Sequence, residues 1–257
     1  MPSLKIQFAG SLGAQLAARL DLPDAPPRAV ALFAHCFTCS KDSRAPTYIA
    51  RALTEQGIAL LRFDFTGLGG SEGEFENTNF SSNVADLRAA ADWLRTHHEA
   101  PALLIGHSLG GAAVLAAAGD IAEARAVVTL GAPFSPQHVT RQFREALHLI
   151  EREGAAEVTL AGRPFRLRRE FLDDLAGQRQ AERIASLRRA LLVMHAPNDD
   201  VVGVDNATAI FAAARHPKSF VSLDTADHLL ARAEDARYAA QVIAAWASRY
   251  LPAPRPS

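Results

Sequence analysis

Gly106-His107-Ser108-Leu109-Gly110 sets a serine between two glycines, directly after the apolar run Ala102-Leu103-Leu104-Ile105 and ahead of the small-residue stretch from Gly111 to Ala118. That order predicts a buried strand, a tight turn and a helix. A serine at such a turn has its Oγ lifted clear of the sheet edge, where a carbonyl carbon can reach it. The glycines are needed because the turn is strained and the helix must pack close to the strand. A helix N-terminus beneath the serine favours the negative charge that develops when an acyl group is attacked. The chemistry this arrangement offers is nucleophilic attack by Ser108.

Serine at its free pKa is a weak nucleophile, so a base must take its proton and a third group must orient that base. In a strand-turn-helix site of this kind the acid and then the histidine follow the serine in chain order. His138 and His148 lie in an irregular stretch and read as solvated or structural. His195 ends an apolar run but precedes any acid, and His216 sits before Pro217 in a loop. His228 follows the run Ser219 to Leu223 in the loop Asp224-Thr225-Ala226-Asp227-His228, and is the expected base. Asn198-Asp199-Asp200-Val201-Val202 supplies the acid just past the run Ala190 to Met194, with Asp199 and Asp200 competing. Asp224 and Asp227, on the histidine's own loop, read as turn residues. Two backbone N–H groups should hold the oxyanion: that of Leu109, after the serine, and one from the loop His35-Cys36-Phe37-Thr38-Cys39-Ser40, where Phe37 is the candidate.

The elements that must position these groups are legible as alternation. Residues Leu4 to Phe8 and Gln15 to Leu22 alternate apolar and polar about Gly10 and Gly13, as a hairpin with one wet face does. Continuous apolar runs at Ala29 to Ala34, Ile58 to Phe63, Ala102 to Ile105, Ala126 to Leu130 and Ala190 to Met194 read as buried parallel strands. Helical spacing falls at Tyr48 to Gln56, Asn83 to His97, Ala207 to Ala214 and Ala236 to Tyr250. The stretch 133–188 breaks the alternation, with a helix over Phe143 to Glu153 and a small hairpin about Gly162. Strands alternating with helices imply a mostly parallel sheet covered on both faces, whose ligand chemistry lies at the carboxyl ends of its strands.

Bulk properties exclude several classes. The 257 residues suit one α/β domain (1–251, with 133–188 a small insertion or lid) and a proline-rich tail at 252–257. A formal net charge of −1 gives no reason to expect nucleic acid or an anionic membrane as partner. No apolar run is long enough to span a bilayer and no secretory signal is visible, so a cytoplasmic location is expected. The two cysteines, Cys36 and Cys39, cannot complete a zinc site, though a Cys-x-x-Cys pair leaves a redox role open. Gly67-Leu68-Gly69-Gly70-Ser71-Glu72-Gly73 has Glu72 where a dinucleotide fingerprint needs glycine, and reads as a flexible turn.

With these residues assembled, the chain resembles the α/β-hydrolase superfamily over nearly its whole length. The matching pieces are His35-Cys36-Phe37-Thr38, Asp64-Phe65-Thr66-Gly67-Leu68-Gly69-Gly70-Ser71, the Ser108 pentapeptide, His195 to Val202 and Ala226-Asp227-His228. The family's Asp-x-x-Val pattern favours Asp199, with Val202 in the last place. More narrowly, His35 to Asp42 and Gly162-Arg163-Pro164-Phe165 look like the hydrolase half of proteins joined to an OsmC-type peroxide-reducing domain. The chain is also similar to small feruloyl and cinnamoyl esterases. Cys36 departs from the glycine usual after the histidine, and no OsmC-type partner domain is present in this chain.

The resemblance implies a serine esterase that cleaves small to medium carboxylic esters through an acyl-enzyme, without cofactor or metal; a homodimer is a possible assembly. A thioesterase, amidase or cofactor-free perhydrolase would use the same triad. A different class, an accessory module whose Cys36/Cys39 pair is redox-active, is the remaining alternative. The expected substrate pocket is drawn from His35, Cys36, His107, Phe134, Phe143 and Phe165, with 133–188 as its roof.

Overall fold

The structure, a computed structural model, describes residues 2–37 and 39–253; Thr38 and the last four residues of the expected tail lie outside the described residues. The chain opens with the hairpin β1 (Ser3–Ala9) and β2 (Gln15–Asp21). Then β3 (Ala29–Ala34), α1 (Arg44–Glu55), β4 (Ile58–Phe63), α2 (Phe80–His97), β5 (Leu103–His107), α3 (Leu109–Ala117) and β6 (Ala126–Leu130) alternate. A 3-10 segment (Pro136–Ala146), α4 (Leu147–Glu153), the hairpin β7 (Ala155–Leu160) and β8 (Arg163–Arg168), α5 (Arg169–Ala176) and α6 (Gln180–Ala185) follow. Alternation resumes with β9 (Ala190–His195), α7 (Asp205–Ala213), β10 (Lys218–Ser222) and α8 (Ala233–Ala247).

Eight strands form one sheet in the order β1-β2-β4-β3-β5-β6-β9-β10. Only the β1/β2 and β2/β4 pairs are antiparallel, and the remainder are parallel. Every residue of β3, β4, β5, β6 and β9 is buried, which is why these strands read as unbroken apolar runs. Alternate side chains serve opposite cores: Val30, Leu32 and Ala34 face α2 and α3, while Ala29, Ala31 and Phe33 face α1 and α8. This is the α/β-hydrolase architecture. Among the described residues no helix is long and apolar enough to cross a membrane.

Several expected boundaries shift, each for a local reason. Helix α1 begins at Arg44, not Tyr48, because Pro46 falls in the first turn, where its missing N–H costs nothing. Helix α2 begins at Phe80, not Asn83, because Asn79 and Ser82 form a reciprocal cap. Helix α8 runs from Ala233 to Ala247, with Glu234 and Asp235 in its first turn, rather than from Ala236 to Tyr250. The expected helix over Phe143 to Glu153 starts only at Leu147, since Phe143 has φ −137° and ψ 35° and turns into the core. The short helices α5 and α6 have no counterpart in the sequence pattern.

Buried charges fix the loop that leaves β3. Arg62 of β4 binds Asp21 of β2 at 2.7 Å and also donates to the Lys41 carbonyl. Lys41 in turn reaches Asp64 through its Nζ at 2.8 Å and its backbone N–H at 2.6 Å. Burial alone would lower the Lys41 ammonium, but Asp64 outweighs it and raises that pKa. Removing one partner of a buried pair leaves the other charge uncompensated. Arg62→Ala should therefore destabilise the fold by about 3–5 kcal/mol in urea unfolding. A loss below about 1 kcal/mol would mean the pair behaves as an exposed one.

Candidate active site

Ser108 stands at the turn between β5 and α3 with φ 55° and ψ −126°, a backbone region that non-glycine residues rarely occupy. The turn closes only because its neighbours lack side chains. A Cβ at Gly106 would lie 2.3 Å from the Gly110 carbonyl oxygen, and one at Gly110 would lie 2.4 Å from the carbonyl oxygens of Ala34 and His35. The Ser108 N–H donates to the Leu130 carbonyl of β6 at 2.8 Å, tying the turn to the adjacent strand.

Three residues far apart in sequence meet in one hydrogen-bonded line. His228 Nδ1 lies 2.7 Å from Asp199 Oδ2, and His228 Nε2 lies 2.9 Å from Ser108 Oγ. A carboxylate only accepts, so Nδ1 carries the imidazole proton and Nε2 accepts from the serine hydroxyl. All three residues are buried. Asp199 is brought to His228, whereas Asp200 is exposed. Burial pushes the Asp199 carboxyl up, but the His228 ring and the N–H groups of Val202 and Val201 outweigh it and hold the pKa below its ordinary value.

Phe37, Leu109, His35 and Cys36 pack around a pinched cleft of about 10 Å³, which Phe65 and Gly110 also line and which Ser108, Asp199 and His228 do not. Larger depressions lie elsewhere, about 320 Å³ between α2, α3 and α6 and about 620 Å³ between the 3-10 segment and β7, and these likewise lack Ser108, Asp199 and His228. Cys36 and Cys39 are joined as a disulfide across the loop that presents Phe37. His35 is buried, donating from Nδ1 to the Cys36 carbonyl at 2.8 Å, and burial lowers its pKa. Phe165 and Phe143 enter an aromatic cluster: Phe37 packs on Phe75 and Phe171 at 5.6 and 5.9 Å, Phe75 on Phe165 at 4.7 Å, and Phe171 on Phe143 at 6.3 Å. Phe134 is half-buried, and its N–H donates to Asn206. His107 is turned toward the His228 loop, with Nε2 2.6 Å from the His228 carbonyl oxygen.

Sequence reasoning misses Gly131 at this site, and sets His195 and His138 aside after weighing them as bases. Gly131, at φ 53°, lies so close beneath the acid and base that a Cβ there would stand 3.2 Å from Asp199 Oδ2 and 3.3 Å from His228 Nδ1. Its place just past β6, at the sheet edge shared by the other groups, is the signal that could have found it. His195 donates from Nε2 to the Val202 carbonyl at 2.7 Å and so braces the Asp199 loop. Burial lowers the His138 pKa, and its Nε2 is buried with no partner among the described residues. His148 and His216 are exposed. Among the described residues no group of three or more His, Cys, Asp or Glu side chains is placed to hold a metal ion.

A parallel sheet covered on both faces, with a serine elbow at its carboxyl edge, defines an α/β hydrolase. Residues 25–163 match the family model Hydrolase_4, described as serine aminopeptidase, S33, and the chain belongs to that family. Among solved structures it is similar to the esterase domain of a Rhodothermus marinus protein, with 50% identity, a TM-score of 0.79, and coverage of 97% of this chain and 99% of that one. The fold is also shared with Est1E of Butyrivibrio proteoclasticus, described with ferulic acid bound, at 21% identity, a TM-score of 0.76, and coverage of 93% and 97%. An uncharacterized Mycobacterium tuberculosis protein is 30% identical over 184 residues, which is 70% of this chain and 56% of the relative, so the chain spans little more than half that protein's length. These likenesses are to α/β hydrolases and esterases; the narrower OsmC-linked likeness is not shown by them.

A carboxyl group with a lower pKa folded than unfolded adds stability above the unfolded value, about 3.9, and loses it as the pH falls through the folded value. The stability gap between wild type and Asp199→Asn should therefore be constant near neutrality and close below about pH 4. Urea midpoints of both proteins from about pH 7 down to about pH 3 check the sign. A gap that persists unchanged in acid would show that the site does not hold the carboxylate.

Proposed function

We propose that the protein is a serine esterase that cleaves small to medium carboxylic esters through an acyl-enzyme. The observation that carries this reading is the line from Asp199 through His228 to Ser108, with bonds of 2.7 and 2.9 Å. Ser108 attacks the carbonyl while His228 takes its proton at Nε2, and Asp199 holds the imidazole in that tautomer and stabilises the imidazolium. His228 then returns the proton to the leaving alcohol, and water, activated by the same base, releases the acid. The N–H of Leu109, first in α3 and so without an acceptor one turn below, and the N–H of Phe37 take the developing oxyanion. Residues 133–188, through Phe143, Phe165 and Phe171, roof the cleft. The 50% identity to an esterase domain over 97% of this chain supports ester substrates.

Hydrolysis of p-nitrophenyl acetate and butyrate should fall about 10⁶-fold in Ser108→Ala and about 10⁴-fold in Asp199→Asn, with Asp200→Asn close to wild type. Activity that survives Ser108→Ala would sink the mechanism. A panel with a thioester, a feruloyl ester and an aminoacyl p-nitroanilide separates ester from thioester and peptide-type cleavage. If Cys36→Ser with Cys39→Ser abolishes function while Ser108→Ala does not, the redox-module reading replaces this one.

A further inference from the structure

The loop that carries His228 has no regular structure, although Leu223, Ala226 and Leu230 bury their side chains in the core with α1 and α8. It follows β10, an edge strand of the sheet that is only partly buried. Between Leu223 and Arg232 the chain has no helix or strand; Asp224 and Leu230 stand at positive φ, and Leu229 is 53% exposed. At its start the Leu223 N–H donates to the His195 carbonyl of β9; beyond that its backbone N–H groups bond locally, Asp224 to Ser222 Oγ, Ala226 to the Leu223 carbonyl, Leu230 to the Asp227 carbonyl and Ala231 to the Asp227 side chain. Among the described residues, one hydrogen bond joins the backbone of 224–231 to a distant part of the chain. It comes from His107 Nε2, 2.6 Å from the His228 carbonyl oxygen.

We infer that His107 is a positioning residue for the proposed reaction, whose Nε2–H holds the His228 carbonyl and so sets where the His228 imidazole stands against Ser108. The inference rests on the serine-esterase reading above. A carbonyl oxygen only accepts, so the hydrogen in this bond belongs to His107. His107 is the last residue of β5, a fully buried strand between β3 and β6, and it is bonded covalently to Ser108. One strand end therefore fixes both the nucleophile and the backbone of the base. His228 is gripped at two points, its imidazole by Asp199 and Ser108 and its carbonyl by His107.

Two further features fit this role. Burial, with repulsion from an ionised His228 second, lowers the His107 pKa to about 4, so no fixed cation sits beside the imidazolium that forms on His228. The same device recurs at the end of β9, where His195 Nε2 donates to the Val202 carbonyl on the acid's loop. In both cases a buried imidazole at a strand end reaches a backbone oxygen of an irregular loop.

The test uses three variants of the full chain. Gln places an N–H where His107 Nε2 lies, Asn places one nearer the Nδ1 position, and Leu supplies none. With p-nitrophenyl butyrate, His107→Leu and His107→Asn should lose about 10²-fold in kcat with KM little changed, as a base displaced by about 1 Å does. His107→Gln should recover most of that loss. A second readout needs no substrate: the downfield proton of His228 Nδ1 in the NMR spectrum should stay sharp in wild type and Gln, and broaden by exchange in Asn and Leu. Should Leu fail to fold, the Asn and Gln pair, one methylene apart, carries the comparison. The inference is overturned if Gln is as poor as Asn, or if Asn keeps wild-type kcat and a sharp proton. Ester hydrolysis independent of Ser108 would instead remove the proposed function, while the NMR comparison would still decide the positioning role.

Discussion

Everything at this site is referred to the backbone of Ser108. Holding a non-glycine residue at φ 55° costs on the order of 1–3 kcal/mol, and it persists only where the surroundings over-determine it. Here they do. β5 is paired on both sides, the Ser108 N–H is bound by β6, and the glycines at 106 and 110 let α3 and the β3 loop close in to distances no side chain would tolerate. Relaxing the turn would break strand pairing or open the packing of α3 on the sheet. The strain is thus held by the most buried part of the molecule, and the hydroxyl is left at its edge.

Around that point three loops must each deliver one group, and each is tied by polar contacts rather than by secondary structure. The Phe37 loop is held by the Cys36–Cys39 bond, by His35, and by Lys41 on Asp64. The Asp199 loop is held by its own carboxylate, which accepts from Val201 and Val202, and by His195. The His228 loop is held by His107 at its backbone, by Asp199 and Ser108 at the His228 ring, and by the buried side chains of Ala226 and Leu230. A neutral hydrogen bond contributes about 0.5–1.5 kcal/mol net and one to a charged group about 1.5–3. No single tie dominates global stability. Their effect is geometric, fixing three loops to a common sheet edge.

This division explains what was legible in the sequence. Buried parallel strands announce themselves as apolar runs, and the Ser108 turn has a local signature, so the sheet, the elbow and the chain order of acid and base could all be read. Asp199 over Asp200 rested on a family pattern, since adjacent loop residues carry no directional signal. What could not be read depends on partners distant in sequence. His107 and His195 are ordinary strand-end residues until the loops they meet are folded, and Gly131 matters only because Asp199 and His228 converge on it. The break at Phe143 has the same origin: helical spacing continues through it, but packing on Phe171 overrides local preference.

On the proposed reading, the aromatic cluster would connect substrate selection to catalysis. Phe37 offers its backbone N–H to the proposed oxyanion site while its ring packs on Phe75 and Phe171, and through them meets Phe165 and Phe143. Arg166 and Arg168 on β8 clamp the same region by pairing with Glu76, beside Phe75. The ring distances of 4.7–6.3 Å lie within the range of favourable edge and offset packing, so a displaced roof aromatic is felt at its neighbours. On that reading, an acyl or alcohol group that presses on the proposed roof also presses on the Phe37 loop. Selectivity in the proposed site would then not be confined to KM, because the proposed roof and the proposed oxyanion amide belong to one packed unit.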